Sequence, residues 1–194
     1  MSPLQSCKNE FGIILKPLGY KQQGKSWYSL NENGVIKTIS YKISSVAADE
    51  FLFSINYNIS FNRVHQLVNN RPYDLRRNLE IGLIKSSLNP LRQKKSFDFL
   101  PNTPISRLIE YTHHRIADEA IPFLSKFETG EQIALFLEEN LEKFMKSDTI
   151  LVLNLAALHI LLGNKVRAAE LAKKVIAESK VPFVFAEDFL DRIF

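Results

Sequence analysis

The chain has 194 residues, a net charge of +4 and 45% hydrophobic residues, which is typical of a soluble globular protein that needs no covalent cross-links. Its single cysteine, Cys7, excludes an internal disulfide, and no cluster of Cys and His has zinc-ligand spacing. The N-terminus lacks the pattern of a secretory signal, and the longest apolar run, Ile150 to Leu162, is too short to span a bilayer. We therefore expect a cytoplasmic protein without a membrane span.

Positive charge is concentrated in the first part of the chain. Residues 1 to 127 contain 17 Lys and Arg against 10 Asp and Glu, so this part carries +7 and the remainder carries −3. An excess of this size favours acidic partners, but it is smaller than that of a dedicated nucleic-acid binder.

The N-terminal segment predicts a helix followed by a β-hairpin. Ser2 and Pro3 have the residue types of an N-cap and a first helical position, and the apolar stripe that follows ends at Gly19. A short strand is predicted over Ser26 to Leu30 and a second over Val35 to Ile43. The Asn33-Gly34 pair between them favours a tight turn, because both residue types tolerate a positive φ.

The clearest pattern in the chain is the alternation over Phe51 to Asn62. Its large apolar side chains point to one side, which predicts a long third strand with one face on a core. We expect that face to be covered by the N-terminal helix and by a helix over Thr103 to Phe127. The opposite face is polar but uncharged, and Ser54, Asn56 and Asn58 on it are candidates for contact with a partner protein.

The remaining segments predict a sheet portion that ends in a loop, followed by helices. A short helix over Val64 to Val68, a fourth strand near Leu79 to Lys85, and a long loop from Asn89 to Pro104 are expected. Helical periodicity then covers Thr103 to Phe127, and Pro122 predicts a bend in this helix. Further helices are predicted over Gly130 to Met145, Ile150 to Leu162, Val166 to Ser179 and the final segment from Phe183 to Phe194.

These elements predict an α+β fold. Residues 1–100 would form an N-terminal helix and an antiparallel meander of about four strands, and residues 104–194 an all-helical region, either independent or packed on the sheet. Asp148 is a candidate N-cap, and the helical pair after it, turning at Gly163-Asn164, resembles half of a tetratricopeptide repeat. Such repeats normally occur in arrays of three or more, so a single copy favours an ordinary packed helical pair.

The N-terminal part resembles a known family. The residues that carry the resemblance are Phe11, Leu15, Leu18-Gly19-Tyr20-Lys21, Gly24, Trp27-Tyr28, the strand from Ile36 to Tyr41, and Phe53 to Ile59. Together they resemble the bacterial domain of unknown function family 4304, over roughly Ser2 to Phe99. The resemblance implies an α+β fold in a bacterial cytoplasmic protein and assigns no catalytic residue.

One helix face carries metal-ligand residue types. Glu110, His114 and Asp118 follow one another at steps of four, so they share a face of the predicted helix. A metal-dependent hydrolase could use such a set. The same spacing also occurs on solvent-exposed helices, where the residues form charge pairs.

The segment from residue 71 to residue 95 is basic. Arg76, Arg77, Arg92, Lys94 and Lys95 could bind a polyanion such as single-stranded nucleic acid. Apolar residues interrupt the positive charges, so the segment is also compatible with a solvated loop.

No phosphate-binding glycine loop and no nucleophile elbow is present, so we expect no cofactor and favour a function other than catalysis. The sequence favours a non-enzymatic protein-interaction module. The alternatives are the metal-dependent hydrolase and the polyanion or nucleic-acid binder.

Overall fold

The computed structural model describes residues 3–47, 50–75, 79, 82–89, 96–178 and 184–193. The predicted α+β fold is confirmed: an N-terminal helix and an antiparallel sheet precede a helical C-terminal half. Within the described residues, no helix has the length and hydropathy required to cross a membrane.

Six strands form one sheet in the described part of the chain. They are β1 (Lys21–Gln23), β2 (Ser26–Leu30), β3 (Val35–Ala47), β4 (Glu50–Phe61), β5 (Ile84–Lys85) and β6 (Phe97–Phe99). The described helices are α1 (Pro3–Leu15), α2 (Asn62–Asn69), α3 (Ile105–His113), α4 (Ile121–Leu124), α5 (Gly130–Glu139), α6 (Leu141–Ser147), α7 (Thr149–Leu161), α8 (Lys165–Glu178) and α9 (Val184–Ile193). A 3₁₀ turn covers Ser86–Leu88 and a π-helix covers His114–Ala120.

The long strand β4 has the predicted alternation and holds the sheet together. The strand order is β1-β2-β3-β4-β5, and β6 also pairs with β4. Antiparallel β5 joins β4 near its end, where Ile84 lies opposite Ile59, and antiparallel β6 joins it near its start, where Phe99 lies opposite Phe51. One strand therefore contacts three others.

Strands β1 and β6 were not expected from the sequence, and β5 is shorter than expected. Each has two or three residues, which is too short for alternation to be visible. Of the predicted strand over Leu79 to Lys85, only Ile84 and Lys85 are assigned to a strand, and Glu80 and Ile81 lie outside the described residues.

The chain divides into two compact units. The sheet unit comprises Met1–Asn31, Ile36–Ser60 and Leu75–Lys126, and the helical unit comprises Glu32–Val35, Phe61–Asp74 and Phe127–Phe194. This division differs from the boundary expected between residues 100 and 104, because the helices over residues 105–124 belong to the sheet unit.

The core of the sheet unit contains the predicted aromatic face of β4. Phe53 stacks on Tyr41 at a ring-centroid distance of 5.8 Å, and Tyr41 meets Phe11 of α1 edge-on at 5.5 Å. Further along the strand, Tyr57 lies 5.8 Å from Phe123 of α4. Tyr111 of α3 lies 6.3 Å from Phe53, so the predicted cover by both helical segments is confirmed. Burial of these rings provides the main stabilising contribution in this core.

Two local departures from ideal α-helix were not predicted. The helix expected over Thr103 to Phe127 changes to a π-helix at His114, so Pro122 lies in the first turn of the separate segment α4. The helix expected over Gly130 to Met145 is broken at Asn140, whose side-chain amide donates to the Phe136 carbonyl oxygen at 2.8 Å. Asparagine competes in this way with the backbone for hydrogen bonds.

The helical unit contains the predicted caps and the helical hairpin. Thr129 and Gln132 form a reciprocal capping box at the start of α5, and Asp148 accepts a hydrogen bond from the backbone N–H of Leu151 at 3.1 Å. Helices α7 and α8 pack as an αα-hairpin. In the same unit, Gly34 has a φ of +82°, as the predicted tight turn requires.

Candidate functional site

A cavity of about 510 Å³ lies on the polar side of the sheet. Its volume is within the range of small-ligand sites. We call it the sheet-face cavity and define it by its polar and charged lining: Lys25, Ser40, Lys42, Asn56, Asn58, Lys85, Ser86 and Ser87. All these residues belong to the sheet unit.

Strand alternation brings the lining residues to one face. Ser40 and Lys42 are two residues apart on β3, as are Asn56 and Asn58 on β4. Lys85 of β5 lies directly opposite Asn58 in the antiparallel register. Three neighbouring strands thus contribute polar residues to the cavity.

Three polar residues of the lining are almost completely buried. Ser40 is 5% exposed, Asn58 is 6% exposed and Ser86 is 4% exposed. Burial of polar groups costs free energy unless they find hydrogen-bond partners. These residues therefore provide a polar surface that is little exposed to bulk water, where a ligand group can form hydrogen bonds.

Asn58 is held by two hydrogen bonds. Its side-chain nitrogen donates to the Leu79 carbonyl oxygen at 3.0 Å, and its side-chain oxygen accepts from the Ser60 hydroxyl at 3.4 Å. The chain approaches closely here, because a Cβ atom added to Gly82 would lie 2.5 Å from the Asn58 Cβ. Asn58 thus holds Leu79 and Gly82 close to β4.

The turn that carries Ser86 and Ser87 is fixed at both ends. Before it, Lys85 pairs with β4. After it, the buried Asn89 donates its side-chain N–H to the Tyr57 hydroxyl oxygen at 2.8 Å. The two serines are therefore positioned by the sheet on one side and by a core tyrosine on the other.

The charge of the cavity is positive. Lys25, Lys42 and Lys85 are solvent-exposed, and none of the described lining residues is acidic. Within the described part of the chain, no ion pair joins these three ammonium groups to a carboxylate. Like charges around one recess attract an anion, whose binding offsets their mutual repulsion.

The three residues predicted for the polar sheet face differ in their surroundings. Asn56 and Asn58 line the cavity, whereas Ser54 does not. Ser54 and Asn56 are half-buried, and Asn58 is buried and engaged with Leu79. Of the three, Asn56 is the residue with the best access for a ligand.

The candidate metal residues do not assemble into a site. His114 Nδ1 lies 2.9 Å from Asp118 Oδ2, whereas Glu110 is exposed on the preceding turn of α3. Among the described residues, no group of three or more His, Cys, Asp and Glu side chains is placed to hold a metal ion. The π-helix that begins at His114 also changes the spacing from which a shared face was inferred.

The π-helix instead contains a buried ion pair. Arg115 is 1% exposed and Glu119 is 5% exposed, and Arg115 Nη1 donates to Glu119 Oε2. On its outer side, His114 Nε2 lies 3.6 Å from Glu119 Oε1. The sequence shows these residues only as members of a charged helix, because an ion pair at this spacing is normally exposed.

The candidate polyanion site falls outside the described residues. Arg76, Arg77, Arg92, Lys94 and Lys95 all lie in segments that the structure does not describe. Of the basic residues from 71 to 95, Arg71 and Lys85 are described, and Lys85 lies at the sheet-face cavity.

Sequence reasoning missed the lysines and serines of the cavity. Ser40 and Lys42 could have been found, because they alternate with the core residue Tyr41 and must share the polar face of β3. Lys25 lies in the turn between β1 and β2 and Lys85 belongs to a two-residue strand, so neither has a pattern that assigns it to a face.

Comparison with known proteins adds no relative. No family model, no curated protein and no solved structure matches the chain, so the resemblance to the bacterial domain of unknown function family 4304 stays a prediction.

Proposed function

We propose that the chain is a non-enzymatic interaction module that binds an acidic segment of another protein on the polar face of its sheet. The observation that supports this most strongly is the sheet-face cavity, in which three lysines surround buried polar residues without an acidic neighbour in the described lining. Such a surface offers charge complementarity and hydrogen-bond donors to carboxylates.

The division of roles within the cavity also suits binding. Lys25, Lys42 and Lys85 are exposed, so they attract an anionic segment before contact. Ser40 and Ser86 are buried and fixed in position, so they select a group that can accept hydrogen bonds. Long-range attraction and short-range selection thus come from different residues.

A direct binding experiment tests this proposal. A fluorescent oligoglutamate peptide, with an oligoglutamine peptide of the same length as a control, would be titrated with the protein and followed by fluorescence anisotropy. We expect the glutamate peptide to bind more tightly, and its affinity to fall as the salt concentration rises from about 0.1 M to about 1 M, where the Debye length shortens from about 10 Å to about 3 Å.

Lysine substitutions test whether the peptide binds at the sheet-face cavity. Replacing Lys25, Lys42 and Lys85 together by alanine should abolish the preference for glutamate. A matched variant with Lys146, Lys165 and Lys173 replaced by alanine loses the same charge from the helical unit and should bind as the natural chain does. Equal losses in both variants, or equal binding of the two peptides, would contradict the proposal.

A photo-crosslinking amino acid at position 56 identifies the bound segment in cell extract. The proposal requires a crosslinked peptide with a net negative charge, and the adduct should disappear in the triple-lysine variant. A crosslinked basic peptide, or a nucleic acid in its place, would contradict it.

A further inference from the structure

We infer that the sheet-face cavity recognises a dianionic phosphate monoester, such as a phosphorylated side chain, in preference to a carboxylate. This inference rests on the proposed function, because it assigns the anionic group that the same cavity binds.

The charge of the cavity is the first reason. Lys25, Lys42 and Lys85 carry three positive charges around one recess, and no described lining residue offsets them. A carboxylate neutralises one of these charges, whereas a phosphate monoester carries a charge of about −1.5 to −2 at pH 7. The dianion therefore leaves less uncompensated charge in the partly desolvated recess.

The hydrogen-bonding capacity of the lining is the second reason. Ser40, Ser86 and Ser87 each bring a hydroxyl group to the cavity, in addition to the three ammonium groups. A phosphate monoester has three strong acceptor oxygens in a tetrahedral arrangement, whereas a carboxylate has two oxygens in a plane. The larger number of donors matches the larger number of acceptors.

The two groups can be distinguished by the pH dependence of binding. The second pKa of a phosphate monoester is about 6, so the dianion rises from roughly 10% of the ligand at pH 5 to roughly 90% at pH 7. A glutamate carboxylate, with a pKa of about 4.3, is already mostly ionised at pH 5. The described lining contains no histidine, aspartate or glutamate.

The experiment compares a phosphoserine peptide with the same peptide carrying glutamate at that position, by isothermal titration calorimetry at about pH 5 and about pH 7. We expect the affinity for the phosphoserine peptide to rise about tenfold with pH, and that for the glutamate peptide to change by less than about 1.3-fold. At pH 7 the phosphoserine peptide should bind at least about tenfold more tightly, and replacement of the three cavity lysines by alanine should remove this advantage. The variant lacking Lys146, Lys165 and Lys173 is the matched control.

The outcomes separate this inference from the proposed function. The phosphate preference is overturned if the glutamate peptide binds equally or more tightly and the affinity for the phosphoserine peptide does not rise between pH 5 and pH 7. That result leaves the acidic-segment proposal standing. Failure of both peptides to bind overturns both. Free O-phosphoserine identifies the source of the group: tighter binding of the peptide indicates a phosphorylated protein, and equal binding indicates a small phosphate monoester. Either result supports phosphate recognition.

Discussion

Neutralising Glu119 should destabilise the sheet unit strongly, because it leaves the buried guanidinium of Arg115 without its counterion. Arg115 is 1% exposed, so water cannot replace the lost carboxylate. Arg115 Nε and Nη2 already have no hydrogen-bond partner among the described residues. Breaking a buried pair by removing one charge costs about 3–5 kcal/mol.

The measurement is thermal and urea unfolding of the Glu119→Gln variant, followed by circular dichroism. For a chain of this size, each kcal/mol lowers the melting temperature by roughly 2–4 °C, so we expect a decrease of about 6–20 °C. The matched control is Asp118→Asn, whose side chain is 62% exposed on the same π-helix, and this variant should melt within about 2 °C of the natural chain.

A double substitution tests the physical reason. Replacing both members by apolar residues, Arg115→Met with Glu119→Leu, removes the buried charges together and should cost less than about 1 kcal/mol, or even stabilise the unit. The cycle consists of Arg115→Met alone, Glu119→Leu alone and the two combined, and its coupling free energy should therefore exceed about 2 kcal/mol. A Glu119→Gln variant within about 1 kcal/mol of the natural chain would refute the reasoning.

Three further predictions concern packing, a charge network and the buried thiol. Gly82→Ala should lower the free energy of unfolding by about 1–3 kcal/mol in urea, because its Cβ would lie 2.5 Å from the Asn58 Cβ. Gly12→Ala is its control and should stabilise α1 by about 0.5–1 kcal/mol, because its Cβ meets only ordinary contacts at 3.8 Å. Glu138 accepts two hydrogen bonds from Arg167, at 2.9 and 2.8 Å. These bonds lower the pKa of the Glu138 carboxyl below its ordinary value of 4.5; partial burial opposes this shift, and a hydrogen bond with His159 adds to it. The stabilisation from the ionised Glu138 is therefore present at neutral pH and is lost as the pH falls through its folded-state pKa. Glu138→Gln should lower the free energy of unfolding by about 1 kcal/mol at pH 7 and by little in acid, as measured by urea unfolding at both pH values. Burial raises the pKa of the Cys7 thiol to about 11, so a thiol reagent at about pH 8 should label the native protein far more slowly than the unfolded chain, and equal labelling rates would contradict the structure.

The parts of the fold that were predictable have a long, regular pattern. Apolar and polar residue types alternate without a break from Phe53 to Phe61 in β4, and the helical pair after Asp148 has both a cap and a turn signal. Short elements lack such a pattern: β6 has three residues, and it is recognisable as a strand only through its pairing with Phe51, Leu52 and Phe53. Its position is decided by tertiary contacts rather than by its own sequence.

The candidate site was predictable only in part, for a related reason. Asn56 and Asn58 were assigned to the polar face because they alternate with Ile55 and Tyr57 on a single strand. The cavity also needs residues from β3, β5 and the turn after β5, and their meeting depends on strand order and register. Glu110, His114 and Asp118 show the opposite case, because a regular local spacing did not produce convergence in space.

Mapping of the bound anion by NMR tests the central claim most directly. The backbone amide signals of the isotope-labelled protein would be recorded during titration with the oligoglutamate peptide. The proposed binding site predicts that the largest shifts occur at Ser40, Lys42, Asn56, Lys85 and Ser86, and that they disappear in the variant without Lys25, Lys42 and Lys85. Shifts concentrated on the helical unit, or no saturable shifts at the sheet-face cavity, would contradict it.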